Sequence, residues 1–203
     1  MSFSNADTGS KPADPYTQKN IQEPDLKTKV EDLVGFIDKH KYCMMTTVME
    51  NGMLASRAMA VAGKEAHGVD LLFHTNTESG KTDDLAHDKD INIAFQTQSG
   101  EWASISGRAY IETDRAIVKK YYSPSLKAWI GDLGDGTHDG GPDDPRIGII
   151  RVKTATAQYA ISNKTQVGGL VEFAKGVVTG ESPEVNKLRY LSEQEIQQWR
   201  STA

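Results

Sequence analysis

Cysteine is almost absent from this sequence of 203 residues, in which Cys43 is the only one. A single cysteine excludes an internal disulfide and a metal site built from several thiolates. Because Cys43 lies in a strand-like apolar run, we predict that it is a small core residue and not a nucleophile. His40, His67, His87 and His138 have no metal-ligand spacing with one another, so we predict surface histidines and no metal site.

An excess of basic charge is also absent. Lys and Arg number 23 against 28 Asp and Glu, which gives a net charge of −5. A mildly acidic chain without a basic cluster has no electrostatic footprint for DNA or RNA. The sequence also has no apolar signal segment at its N-terminus and no uncharged apolar run of membrane-spanning length. We therefore expect a soluble, cytoplasmic protein without a nucleic-acid or membrane partner.

The periodicity of the chain changes several times. Residues 1–24 are polar and predict an arm that is disordered or ordered only by docking on the body. From Leu26 onward apolar residues recur at helical spacing, which predicts a helix with Asp25 as its N-cap. Strands are predicted at 42–48, 54–62, 69–75, 91–96, 102–112 and 147–152, with an extension of the last to 161 left open. Helices are predicted at 81–87, 114–122, 126–130 and 192–200, the last with a Ser192–Glu195 capping box.

This order of elements favours one fold class. The strands cluster, with helices at the ends and between hairpins, which is typical of a closed or half-closed antiparallel barrel with peripheral helices. A doubly wound parallel sheet would need a helix between most strand pairs. Ser106-Gly107 predicts a bulge in its strand. The acidic loop at 131–145 lacks the spacing of a calcium loop and predicts a solvated, flexible segment.

The stretch from Phe73 to Lys81 leaves a strand, turns through small polar residues and enters a helix. A helix N-terminus offers unpaired N–H groups and partial positive charge, which suit a phosphate. Hydroxyls of Thr75 and Ser79 add donors, and Lys81 adds a full charge. The alternative is a capped surface turn with a solvated lysine.

Arg57 lies in the middle of the second predicted strand, where an arginine must find a partner, face water or bind an anion. The hairpin brings this strand near the one that leads to Lys81. An arginine fork and a lysine point charge together suit a phosphate. The alternative for Arg57 alone is a surface or salt-bridged side chain.

Four segments in this order carry a resemblance to a known family: Ser56-Arg57-Ala58-Met59, Phe73-His74-Thr75-Asn76, Ser79-Gly80-Lys81 and Ile105-Ser106-Gly107-Arg108-Ala109. The pattern resembles the pyridoxamine 5′-phosphate oxidase-like FMN-binding split barrels. It is most similar to their general stress protein branch and its fungal blue-light-inducible relatives. The resemblance implies a six-stranded antiparallel split barrel at 25–161, between a flexible arm at 1–24 and a C-terminal helical extension at 162–203. It also implies a homodimer with FMN in grooves between the subunits.

Carried over by position, the resemblance implies that Arg57 and Lys81, assisted by Ser79, hold the FMN phosphate. Backbone groups at 58–60 would lie along the flavin ring. The full set of implied cofactor-binding residues is Arg57, Ala58, Met59, Ala60, His74, Thr75, Ser79, Lys81, Trp102 and Trp129. Either tryptophan could instead be a core or interface aromatic.

Two departures from the family pattern limit the function. Tyr159-Ala160 stands where the stress-protein branch commonly has Tyr-Trp, and the oxidase's C-terminal substrate segment is missing, so oxidation of vitamin B6 is disfavoured. No catalytic side chain can be named. The hypotheses left open are an FMN-dependent oxidoreductase using NAD(P)H or another small redox substrate, a non-catalytic flavin store or sensor, and a barrel that has lost its cofactor and serves as an interaction module.

Overall fold

A computed structural model describes residues 14–164 and 166–202, so residues 1–13 of the expected arm lie outside the described range. The strands are β1 (Tyr42–Val48), β2 (Leu54–Glu65), β3 (Asp70–Asn76), β4 (Asp90–Gln96), β5 (Trp102–Glu112), β6 (Ile147–Ser162) and β7 (Asn186–Leu191). The helices are α1 (Pro15–Asn20), α2 (Leu26–Lys39), α3 (Gly80–His87), α4 (Arg115–Tyr121), α5 (Lys127–Ile130), α6 (Gln166–Thr179) and α7 (Glu193–Arg200).

Six strands form a closed barrel. Their order is β3-β2-β1-β4-β5-β6, every neighbouring pair is antiparallel, and a further pairing of β3 with β6 closes the ring. The second half of β6 continues beyond the ring and pairs with β7. The six-stranded antiparallel barrel with peripheral helices predicted from the sequence is confirmed.

Alternating residues of the strands fill the barrel. Met45, Phe73, Ile93 and Phe95 are at most 1% exposed, as the period-two pattern of a strand with one buried face requires. Helix α2 covers this core, and Phe36 packs edge-on to Phe95 with ring centroids 6.4 Å apart. The apolar stripe that predicted α2 is therefore its buried face.

Local signals set several boundaries as predicted. The Asp25 side chain accepts from the Thr28 N–H at the start of α2. Ser192 and Glu195 form the reciprocal capping box of α7. Cys43 is buried and burial raises the pKa of its thiol to about 12, which confirms that it is an unreactive core residue.

Gly107 occupies the predicted bulge, where the register of β5 against β6 shifts between Ser106 and Gly107. A Cβ at Gly107 would lie 2.3 Å from the Lys153 carbonyl oxygen. We expect Gly107→Ala to destabilise the protein by about 2–4 kcal/mol, because backbone cannot move aside as a flexible side chain can. Urea unfolding monitored by circular dichroism measures this change.

Gly35 provides the matched control. It lies inside α2 and a Cβ there would meet nothing within 4 Å. Gly35→Ala should therefore stabilise the protein by about 0.5–1 kcal/mol through a lower backbone entropy cost. If both variants changed stability by the same amount, steric contact at the bulge would not be the cause.

Three elements were not predicted from the sequence. Residues 14–24, placed in the arm, contain α1, whose Asn20 side chain donates to the Pro183 carbonyl and accepts from the Val185 and Asn186 N–H groups. β7 extends the sheet through the expected helical extension, with Arg189 buried against Asp32 of α2. α6 contains three glycines that lower helix propensity, and it exposes Leu170, Val171, Phe173, Val177 and Val178.

The prediction of a solvated, flexible loop at 131–145 is wrong for its C-terminal end. Asp144 is fully buried and forms two ion-paired contacts with Arg146, which is itself 5% exposed. Arg146 also donates to carbonyl oxygens of Gly131 and His138 across the loop. The loop therefore folds around an internal ion pair that the local sequence pattern does not predict. Across the described residues, no helix is both long and apolar enough to cross a membrane.

Candidate functional site

Helix α3 and the turn before it are held firmly against the barrel. α3 contacts β1 and β5, and its Leu85 is 2% exposed within the main core. The buried Thr82 hydroxyl donates to the carbonyls of Thr77, at 2.9 Å, and Ser79. The N-terminus of α3 is thus fixed relative to the strands by packing on one face and by hydrogen bonds in its first turn.

Arg57 points from β2 to the same face of the sheet as its cross-strand partner Met45, which is buried. Its Nη1 donates to Thr47 Oγ1 and its Nη2 to Asp84 Oδ2, each at 2.8 Å. The arginine side chain remains 32% exposed. Thr47 and Asp84 therefore hold Arg57 on one side, and guanidinium donors remain for a ligand.

Lys81 lies in the first turn of α3, and its ammonium donates to Ser79 Oγ at 2.8 Å. Ser79 is the N-cap of the helix but makes no side-chain capping bond. Its hydroxyl instead donates to the Asn76 carbonyl at 2.7 Å. The first turn of α3 therefore has no side-chain cap at Ser79, and its one acidic residue is Asp83.

The electrostatics of this cluster favour an anion. Burial, followed by the charge of Arg57, lowers the pKa of Lys81. Burial acts to raise the pKa of Asp84, but hydrogen bonds from Thr47 and Arg57 and the charge of Arg57 lower it overall. Asp84 is thus an ionised partner for Arg57, while Lys81 has a like charge as its electrostatic neighbour. The two cations, with Asp84 as the one carboxylate bonded to them, and the adjoining helix N-terminus fit a phosphate group.

The other residues predicted on these strands occupy different positions. Ala58 and Ala60 are exposed on the outward face of β2, and Met59 packs against the core while its carbonyl accepts from the Cys43 thiol at 3.6 Å. Thr75 is 3% exposed and donates to the Asn76 carbonyl. These residues lie on the strands that lead to Arg57 and the α3 turn, and among the described residues none of them forms a hydrogen bond with Arg57 or Lys81.

His74 lies on the opposite face of β3 from Thr75, since successive strand residues alternate. Its Nε2 is 2.8 Å from the carbonyl oxygen of Tyr121 at the end of α4. Burial lowers the pKa of His74, against the opposing effect of this hydrogen bond. The His74 ring therefore helps to hold α4 against the barrel, on the opposite face of β3 from Thr75.

The two predicted tryptophans differ in environment. Trp102 begins β5, is half-buried, and pairs with Ala160 of β6. Trp129 on α5 is 87% exposed, an unusual position for so large an apolar side chain. Ala160 is fully buried between Trp102 and Leu188, so β7 adjoins the position at which the resemblance to the general stress protein branch leads us to expect tryptophan. No described contact connects Trp129 to Arg57 or Lys81.

The sequence reasoning missed Thr47 and Asp84. Thr47 stands in a run of ordinary strand residues, and Asp84 looks like one of several solvated acids on a short helix. The available signal was the strand period, which places Thr47 and Met45 on the same inward face. It could not show which acid of α3 faces Arg57.

Comparison with known proteins decides the family. Residues 28–184 match the family described as pyridoxamine 5′-phosphate oxidase like. The chain belongs to this family. The resemblance to this family, which was drawn from four sequence segments, is confirmed.

The relatives agree with this assignment. The chain is 60% identical to Protein bli-3 of Neurospora crassa over 203 residues, covering 98% of this chain and 97% of that protein. A general stress FMN/FAD binding protein from Xanthomonas citri has a TM-score of 0.55 at 24% identity, over 69% of this chain and 92% of that one. An FMN binding protein of Nostoc punctiforme, related to pyridoxamine 5′-phosphate oxidase, has a TM-score of 0.53 at 14% identity, over 68% of this chain and 85% of that one. These two structures share the barrel fold.

Proposed function

We propose that this protein binds FMN and acts as a flavin-dependent oxidoreductase, with the FMN phosphate held by Arg57, Lys81 and Ser79 at the N-terminus of α3. The observation that carries the proposal is the placement of Lys81, half-buried and hydrogen-bonded to Ser79, within the electrostatic reach of Arg57. Asp84 already pairs with Arg57, so Lys81 is the cation of this cluster for which the described residues offer no ion pair. Two structural relatives are described as FMN or FMN/FAD binding proteins.

In this proposal the flavin ring lies along β2, where Ala58, Met59 and Ala60 offer backbone groups and little side-chain bulk. Bound FMN supplies the electron transfer, and the protein positions it and tunes its electronics. A hydride donor such as NAD(P)H and a small-molecule acceptor complete the proposed reaction. No side chain of this chain needs to take part in covalent chemistry.

Absorption titration of the purified protein tests the binding step. A saturable change in the flavin spectrum near one FMN per chain, with riboflavin binding at least about tenfold more weakly, is expected if the phosphate is an anchor. Equal affinity for the two flavins, or binding of neither, would refute the proposed site. Turnover of NADPH with bound FMN above the rate of free FMN tests catalysis separately. Tight binding without turnover would favour a flavin store or sensor.

The affinity for FMN should depend on pH in a way that riboflavin binding does not. A bound phosphate raises the pKa of Lys81, so binding is strongest where the free protein already carries the lysine charge. Because burial and Arg57 lower that pKa, the affinity should begin to fall with rising pH before the ordinary lysine value of 10.5. It should also fall below about pH 6, where the phosphate gains a proton. Titrations at successive pH values measure this window.

We also propose a homodimer formed through the outward face of β2, β1, β4 and β5. A row of uncharged side chains crosses this face in register, since Met44 pairs with Ala58 and with Ala94, and Ala94 pairs with Ser104. Met44, within this row, is 43% exposed, and Tyr42 on the same strand is 80% exposed. A broad sheet face with few charges is a favourable surface for a second copy.

Ala58→Glu should weaken this dimer by at least about tenfold, because two like charges would face an apolar surface without partners. Sedimentation velocity over a concentration range measures the association. Gln198→Glu, at an exposed position of α7, adds the same charge away from the sheet and should leave association unchanged. A dimer that tolerates Ala58→Glu but not Gln198→Glu would place the interface elsewhere.

A further inference from the structure

Asp84 is the negative charge closest to the proposed phosphate anchor, and the family resemblance did not assign it a role. Its side chain is 11% exposed, while Thr47 is 0% exposed. A single oxygen, Oδ2, accepts from Thr47 Oγ1 at 2.7 Å and from Arg57 Nη2 at 2.8 Å. Two side chains, one from β1 and one from β2, therefore share one carboxylate oxygen of α3.

This geometry has two opposite consequences for an anion at Arg57. The hydrogen bonds restrict the guanidinium to one orientation, which lowers the entropy cost of binding a ligand. The carboxylate charge also neutralises Arg57 and repels any phosphate that binds the same guanidinium. Thr47 can position Arg57 through its hydroxyl without adding charge. Asp84 positions Arg57 and also adds a negative charge beside it.

We infer that Asp84 is an internal counter-ion that positions Arg57 and limits the affinity of the site for FMN, so that the flavin phosphate binds reversibly. The inference rests on the proposed function of this site. It concerns a positioning residue that acts through Arg57 and makes no contact with the flavin itself.

The charge and the hydrogen bonds of Asp84 can be separated experimentally. Because both bonds end on one oxygen, Asp84→Asn can keep them through its amide oxygen while it removes the charge. Asp84→Ala removes both the charge and the bonds. Asp83→Asn is the matched control, since it removes an equal charge from the exposed neighbouring residue of the same helix.

We expect Asp84→Asn to bind FMN about three- to tenfold more tightly than the unmodified protein, with riboflavin affinity unchanged. Asp84→Ala should bind FMN more weakly than Asp84→Asn, and the difference measures the positioning of Arg57. Asp83→Asn should change FMN affinity by less than about twofold. A gain in affinity is a result that a purely structural role of Asp84 would not produce.

Fluorescence titration of the four proteins with FMN and riboflavin, alongside their thermal unfolding, distinguishes the outcomes. If Asp84→Asn unfolds at the normal temperature and binds FMN no more tightly, the inference is overturned. An equal gain for Asp83→Asn would also overturn it, because the gain would then come from the overall charge near the site and not from the contact between Asp84 and Arg57. If the unmodified protein does not prefer FMN to riboflavin, the proposed function itself fails and the two failures are distinguishable.

Discussion

Arg57→Ala and Lys81→Ala are each expected to weaken FMN binding by about tenfold to a hundredfold. Hydrogen bonds to a charged group contribute roughly 1.5–3 kcal/mol, and each substitution removes one charged donor from the proposed phosphate site. Riboflavin, which has no phosphate, should lose much less affinity in both variants. Spectral titration with the two flavins measures the ratio directly.

Two further variants make this result specific. Lys41→Ala removes an exposed lysine that immediately precedes β1 and should leave FMN affinity unchanged. Arg57→Lys keeps the charge but loses the fork, so it should recover only part of the affinity. Equal losses of FMN and riboflavin in Arg57→Ala would show that the phosphate lies elsewhere. Since that variant also leaves Asp84 without its ion pair, thermal unfolding must accompany each titration.

Asp144→Ala is expected to lower the midpoint of thermal unfolding by about 6–20 °C. The substitution leaves the buried Arg146 without its carboxylate and removes an acceptor for the Gly140 N–H. Breaking one partner of a buried pair is strongly destabilising, and in a chain of this size each kcal/mol corresponds to about 2–4 °C. Differential scanning calorimetry measures the change.

Asp143→Ala is the matched control for this prediction. Asp143 is the preceding residue, its side chain is 72% exposed, and its ion pair is with the half-exposed Lys119. Its removal should change the midpoint by less than about 2 °C. Combining Asp144→Ala with Arg146→Met should recover part of the loss, since no charge then remains unpaired. If Asp143→Ala were as damaging as Asp144→Ala, burial of the pair would not explain the effect.

The same ion pair makes the loop sensitive to acid. Hydrogen bonds from Arg146, opposed by burial, lower the pKa of Asp144 from 3.8 to about 2. The stability from this ionised carboxylate is therefore fully present above pH 3.8 and is lost as the pH falls towards 2. Circular dichroism of the barrel in this range should show a smaller loss for the double variant, which no longer has the carboxylate.

The sequence by itself determined the parts of this protein that follow local rules. The cap at Asp25, the capping box at Ser192 and the bulge at Gly107 each depend on the backbone chemistry of a few neighbouring residues. The antiparallel barrel followed from the order of strands and helices. Arg57 and Lys81 could be predicted as candidate phosphate-binding residues, because an arginine in the middle of a strand and a lysine at the start of a helix are unusual in their local setting.

Only the tertiary structure decided which distant groups meet. Asp84 reaches Arg57 and Thr47 from an element far along the chain, and Arg146 finds its carbonyl partners across a loop that looked solvated. β7 is stabilised by pairing with β6 and by an arginine buried against α2, neither of which its polar sequence indicates. Local propensity cannot specify these contacts, because their free energy comes from burial and charge pairing that exist only once the barrel has closed.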